Sequence, residues 1–261
     1  MDVFMAARGV KDVSEAARLI EIEMPLLKDT DWTPPPPTKE KPQAQKDCSR
    51  LYSWWRHELH AFVESQGGKW RGLTYKTLFE AGVGYNTEYK SVVIPYDKTT
   101  FLWRSVEGSE KRINKGGRRQ LYIASPMKAG GYSFNFMCEG EVDALSLKQA
   151  LNSYLEFVGI AATGGIGSAR RVVEELNAQF GDTADKPKIF WAGDNDSREA
   201  TDEMIRALRR AGYPSVAFYF ADGNVKADAN DYLRIKGDLE LLSFLLAVVA
   251  NFECDLSTST D

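Results

Sequence analysis

Five acidic residues, Glu139, Asp143, Asp194, Asp196 and Asp228, stand at places where a folded chain would bring them together. Glu139 follows the apolar run Phe134–Cys138, and Asp143 comes four residues later. Asp194 and Asp196 follow Lys188–Ala192, and Asp228 follows Ser215–Phe220. Alternate residues of an extended segment face the same way, so Asp194 and Asp196 can share one side. Crowded carboxylates repel one another unless a cation neutralises them. Their hard oxygens suit Mg²⁺ or Mn²⁺. Such ions bind phosphate oxygens and stabilise the charge of an in-line phosphoryl displacement. Acids at loop starts also cap helices, which would account for Asp143 or Asp196 singly. Capping accounts poorly for all five acids at strand ends.

Two further groups of residues could act on phosphates. Gly164-Gly165-Ile166-Gly167 follows a strand-like run and opens a helix, where backbone N–H groups can hold an anion. Glycine-rich strand-to-helix turns are also common without a ligand. Between positions 104 and 119 stand Arg104, Lys111, Arg112, Lys115, Arg118 and Arg119, against only Glu107 and Glu110. That strip is either a phosphate-binding surface or a solvated charged hairpin. The net charge of −4 argues mildly against a nucleic-acid binder, but the local excess of base outweighs it.

The elements that must position these residues have a clear rhythm. The strands Phe134–Cys138, Phe157–Ala161, Lys188–Ala192 and Ser215–Phe220 alternate with helices at Val142–Tyr154, Ser168–Phe180 and Arg198–Ala211. Two more helices are expected at Asn230–Lys236 and Asp238–Asn251. This alternation predicts an α/β fold, a parallel sheet flanked by helices on both faces. Ligands of such sheets bind at the carboxyl ends of the strands, where all five acids fall.

Upstream, residues 48–132 predict a smaller mixed α+β subdomain. Leu51, Trp54, Trp55, Leu59, Phe62 and Val63 recur at helical spacing over Cys48–Gln66, a core face sooner than a base-stacking platform. A short helix over Tyr75–Ala81 and strands over Ser91–Pro95 and Phe101–Val106 follow. Residues 1–28 read as a helical segment, 29–47 as a proline-rich linker and 237–261 as a C-terminal helix and tail.

Hydrophobic residues make up 43% of the 261, enough for a core, yet no apolar run reaches the roughly 18 residues a membrane span needs. Cys48, Cys138 and Cys254 form no CxxC pair, which argues against a structural zinc site and suits a reduced, cytoplasmic setting. His57 and His60 have no ligand partners nearby in sequence and read as surface-helix residues.

The acidic segments resemble the TOPRIM domain shared by bacterial and phage primases, topoisomerases and some nucleases. The likeness lies in Phe136-Met137-Cys138-Glu139-Gly140-Glu141-Val142-Asp143 and in Trp191-Ala192-Gly193-Asp194-Asn195-Asp196. Lys226-Ala227-Asp228-Ala229-Asn230-Asp231 is similar to the third primase motif. Arg71-Gly72-Leu73, Gly82-Val83-Gly84-Tyr85 and Val92–Asp97 resemble the segment that precedes TOPRIM in primases of the bacterial DnaG type, especially phage and mobile-element forms.

The resemblance covers about residues 69–236 and implies a TOPRIM-type sheet at 133–236. It implies a DNA primase catalytic core that makes short RNA primers by two-metal nucleotidyl transfer. Glu139, Asp194 and Asp196 would be the principal metal ligands, with Asp143 and Asp228 assisting. Arg104 and Lys111 would lead in contacting template and nucleotide, followed by Arg118 or Arg119. The implied partners are single-stranded DNA, nucleoside triphosphates and a replicative helicase, fused or separate. Asp2–Ile20 is similar to the tail that follows the family's zinc module, so a longer protein carrying that module is expected. The rival readings are a TOPRIM nuclease using the same acids and a non-catalytic nucleic-acid-binding module. A topoisomerase would need a further domain with a tyrosine nucleophile.

Overall fold

The chain divides into two units, Met1–Gln43 and Ala44–Asp261. The computed structural model describes residues 47–107, 110–114, 117–130, 132–166, 168–193, 198–220 and 227–258, with the side chains of 253–258 excepted. The expected N-terminal helix and most of the linker therefore lie outside the described residues.

Helix α1 (Ser49–Ser65) buries Trp55, Leu59, Phe62 and Val63 and leaves Trp54 and Leu51 exposed. The aromatic stripe is thus mainly a core face. Phe62 stacks on Tyr85 with ring centroids 4.1 Å apart, and Trp55 meets Phe101 edge-on at 5.2 Å. A short hairpin, β1 (Lys69–Trp70) and β2 (Leu73–Thr74), leads into α2 (Tyr75–Glu80), which Thr74 caps through the Thr77 N–H. An antiparallel four-stranded sheet follows: β3 (Gly84–Asn86), β4 (Ser91–Pro95), β5 (Phe101–Ser105) and β6 (Lys111–Ile113), paired in that order. At Gly84 the backbone passes so close to Trp55 that any Cβ would collide with it. Val93, Phe101 and Trp103 face α1, so Val92, Ile94, Leu102 and Arg104 face the other way by alternation.

The second sheet has the order β11-β10-β8-β9-β7. Its strands are β7 (Tyr122–Ser125), β8 (Phe134–Cys138), β9 (Val158–Ala162), β10 (Ile189–Gly193) and β11 (Ser215–Tyr219). Four of them are parallel, as the strand–helix rhythm predicts. The edge strand β7 runs antiparallel to β9, with a register shift between Ile123 and Ser125. It comes from upstream of residue 133, in a stretch whose basic and turn-forming neighbours hide a strand signal.

Helices cover both faces. On one side Phe136, Ile160 and Phe190 pack with α3 (Glu141–Ala150), α6 (Ala229–Lys236) and α7 (Asp238–Thr258) through Leu145, Leu233 and Leu241. On the other, Met137, Ala161 and Trp191 pack with α4 (Ala169–Phe180) and α5 (Arg198–Arg210) through Val172, Leu176 and Leu208. Each fully buried aliphatic side chain of this kind contributes roughly 1.5–3 kcal/mol. The chain goes from β8 to β9 on one side, then crosses back past β8 to β10. The strand order therefore reverses between β8 and β10, and that reversal opens a crevice at their carboxyl ends.

Asn135, with no exposed surface, ties the opposite end of the sheet to its surroundings. Its carboxamide donates to the carbonyls of Lys128 and Lys188 and accepts from the Lys128 N–H at 2.7 Å. Replacing it by Leu removes the side-chain partner of the half-buried Lys128 N–H and carbonyl, while the Lys188 carbonyl keeps the backbone N–H of residue 135. Asn135→Leu should cost about 2–4 kcal/mol, read as a lower urea midpoint with unchanged slope.

Candidate active site

The crevice is built first from the turn after β8. Glu139 is exposed there, and Gly140 is the N-cap of α3 with extended backbone, φ −101° and ψ 145°. Asp143 folds back over this turn, and a Cβ at position 140 would collide with its carboxylate. The Thr163 N–H donates to the Cys138 carbonyl at 3.0 Å, and its hydroxyl donates to the Glu139 carbonyl at 3.3 Å. The ends of β8 and β9 are thereby held together beside Glu139.

Asp143 also reaches α6. One of its oxygens accepts the Asn230 N–H at 3.1 Å. The buried Asn230 carboxamide donates to the Arg71 carbonyl at 2.8 Å and to the Ser146 hydroxyl at 2.9 Å. Asp228 is the N-cap of α6 and accepts the Asp231 N–H at 2.7 Å. The capping role considered for acids at loop starts thus holds for Asp228. Arg71, which the motif reading did not single out as a site residue, joins this group. Its guanidinium is shifted down by burial and by the neighbouring Arg104 and Arg234, and is supported by Asp228 and Asp143.

Glu139 and Asp143 line one cleft of about 540 Å³. Its walls include Lys111 from β6, Thr163 and Gly165 after β9, and Glu203 on α5, with Trp191 among the residues that close it. Asp194 and Asp196 lie outside the described residues, as does Lys115. Among the described residues no group of three or more His, Cys, Asp or Glu could hold a metal ion.

The basic strip divides. Arg104 and Lys111 pair across β5 and β6 and face away from α1. Arg112 pairs with Trp103 on the other face of that sheet, exposed and away from the cleft. Arg118 bonds Glu175 on α4 at 2.8 Å, and Arg119 donates to the Gly165 carbonyl at 2.7 Å. So Lys111 lines the cleft, Arg119 braces the glycine turn at its edge, and Arg118 sits on a helix surface.

One acid went unnoticed in the sequence. Glu141, in the first turn of α3, has no exposed surface, and its carboxylate lies 2.7 Å from the Lys111 ammonium. Tyr96, at the end of β4 and its turn, donates its hydroxyl to the other oxygen of Glu141. In sequence, Glu141 reads as an ordinary acid complementing a helix N-terminus. Only its burial marks it out.

Residues 136–233 match the family model described as Toprim-like. They form a Toprim-like domain. The matched stretch starts within β8 and ends within α6, so it contains the five candidate acids and Glu141. The chain is also similar to a chain in the structure of bacteriophage T7 lagging-strand DNA polymerase interacting with primase domains of two gp4 subunits bound to an RNA/DNA hybrid and dTTP. There the identity is 17% and the TM-score 0.46, over 66% of this chain and 86% of that one. No curated protein matches the chain.

Glu139 and Asp143 bring two carboxylates to one cleft wall, hard oxygens of a kind that suits Mg²⁺ or Mn²⁺, short, among the described residues, of the three acids that a group would need. Behind that wall the phenol of Tyr96 is shifted well up, first by burial and then by the adjacent Glu141 carboxylate. Burial does the same for Tyr122, whose ring meets Tyr96 edge-on. A phenol raised in the folded state keeps its proton when the unfolded chain loses its own at about pH 10. The stabilisation is therefore complete below that pH and declines as pH rises past it. Denaturant titrations from pH 8 to 11 should show stability falling only above about pH 10. The phenolate absorbance of these two tyrosines should appear only with unfolding.

Proposed function

We propose that the chain is a DNA primase catalytic core that joins ribonucleotides on single-stranded DNA. The observation that carries this reading is the cleft itself. Glu139 and Asp143 stand on the Toprim-like side, and Lys111 reaches in from the sheet that precedes it. A metal-binding carboxylate wall facing a cation is the arrangement that a triphosphate needs. The Toprim-like match supports a nucleic-acid-processing enzyme, and the upstream resemblance narrows that to priming.

Glu139, Asp194 and Asp196 are the proposed principal ligands of Mg²⁺ or Mn²⁺, with Asp143 and Asp228 assisting. Divalent ions bound there would supply positive charge to triphosphate oxygens. Asp228 has one oxygen committed to its helix cap, so its part is support of the site's shape and charge. Arg71, which feels the charges of Arg104, Asp228 and Asp143, and Arg104 itself are the proposed contacts to phosphates of the template. Such backbone contacts are sequence-blind and salt-sensitive. Single-stranded DNA, nucleoside triphosphates and a helicase, in the same chain or another, are the proposed partners. Residues 48–132 form the proposed upstream subdomain and 133–236 the TOPRIM unit, with β7 contributed from before residue 133.

Primer synthesis on mixed single-stranded templates, with Mg²⁺ and Mn²⁺ compared, tests the reading. Asp194→Ala, Asp196→Ala and Glu139→Ala should each lower synthesis by about 10²-fold or more. Wild-type synthesis by all three overturns the metal site, and DNA cleavage without nucleotides favours a nuclease instead. Arg104→Glu should weaken binding of single-stranded DNA and reduce the slope of log affinity against log salt by about one. An unchanged slope returns Arg104 to a solvated surface.

A further inference from the structure

We infer that Glu141 is a positioning residue that fixes the Lys111 ammonium at the cleft, an assignment that rests on the nucleotidyl-transfer reading above. Glu141 spends each of its oxygens on a different element. One accepts the Tyr96 hydroxyl and the other takes the Lys111 ammonium at 2.7 Å. Tyr96 is itself hemmed in, because its hydroxyl lies against Gly164, where a Cβ would collide with it. The carboxylate is therefore clamped from one side and aimed at Lys111 on the other.

Lys111 is only partly withdrawn from water, with 35% of its side chain exposed, whereas the Glu141 side chain has none. It sits at the start of a three-residue edge strand, where a lysine would otherwise sample many rotamers. An ammonium has three donors, and its contact with Glu141 is an ion pair that meets no hydrogen-bond geometry. Its donors can serve phosphate oxygens in the cleft that Lys111 lines. The pair is neutral as a whole, so it supplies direction at short range more than attraction at long range. A buried ion pair is an inefficient way to stabilise a fold, because two apolar residues of similar size commonly do as well or better. That comparison separates a positioning role from a structural one.

The experiment uses the full chain and three proteins: wild type, Glu141→Gln, and the double variant Glu141→Met with Lys111→Met. Binding of a fluorescent nucleoside triphosphate with Mg²⁺, the thermal midpoint, and KM and kcat for primer synthesis are read for each. Glu141→Gln keeps the lysine but releases it. Its nucleotide Kd and KM should rise about tenfold, with kcat within a few-fold of wild type, the loss of one oriented charge–phosphate contact. The double variant should recover or exceed the thermal midpoint of Glu141→Gln and still bind nucleotide about tenfold or more weakly than wild type. Wild-type nucleotide affinity in either variant overturns the inference and leaves the priming reading standing. A folded wild-type protein that binds no nucleotide overturns the priming reading, and the inference with it. If the double variant does not fold, Glu141→Gln decides alone.

Discussion

A carboxylate with no exposed surface cannot be left alone. Taking an ionised acid out of water costs several kcal/mol unless charge and hydrogen bonds meet it. Glu141 carries that demand at the first turn of α3, where the helix N-terminus meets only part of it. The answer comes from the preceding sheet, as the Tyr96 hydroxyl from the end of β4 and the Lys111 ammonium from β6. The four-stranded sheet is therefore bound to the Toprim-like domain by a requirement of charge as well as by the apolar contact of Val92, Ile94 and Leu102 with the shared core. Were the two sheets to separate, Glu141 would lose both partners at once. The same docking brings a cation to a wall that otherwise presents acids.

That wall owes its position to the sheet. Because the strand order reverses between β8 and β10, the connections leaving their carboxyl ends diverge to opposite faces. Glu139 and Asp143 sit in the opening, with the Asp143 carboxylate folded against Gly140 where a Cβ would meet it. Asp143 is held from a second direction by the first turn of α6, whose Asn230 is anchored to Arg71 and Ser146. One carboxylate thus ties three parts of the chain together while still lining the cleft. The arrangement fixes the Asp143 carboxylate in place, preorganisation of the kind that the proposed chemistry would draw on.

Much of this was legible in the sequence, for physical reasons. The apolar strands and the amphipathic helices α4 and α5 have clean periods, because one face of each meets a core and the other meets water. Local signals of that sort also placed Glu139 at a strand end. They could not reveal β7, whose pairing with β9 is antiparallel and long-range. Nor could they distinguish Asp228, spent on a cap, from an acid turned wholly to a ligand. Glu141 was the least visible of all. A Glu in a first helical turn is ordinary, and its burial follows from the approach of residues 96 and 111, which no local pattern encodes.

The basic strip teaches the same lesson from the other sign. Read as composition, residues 104–119 form one cationic surface. Folded, alternation along β6 sends Lys111 and Arg112 to opposite faces, and Arg118 and Arg119 fall beyond the sheet against α4 and the glycine turn. Charge density along a sequence therefore overstates the charge delivered to any one place. Among the described residues, what reaches the cleft from the strip is the Lys111 ammonium, already engaged by a buried carboxylate. Were the site to gather divalent cations and receive a triphosphate, as proposed, such restraint would serve it. A larger positive patch would repel cations from the acidic wall, whereas one oriented donor can meet a phosphate oxygen while leaving most of the wall negative.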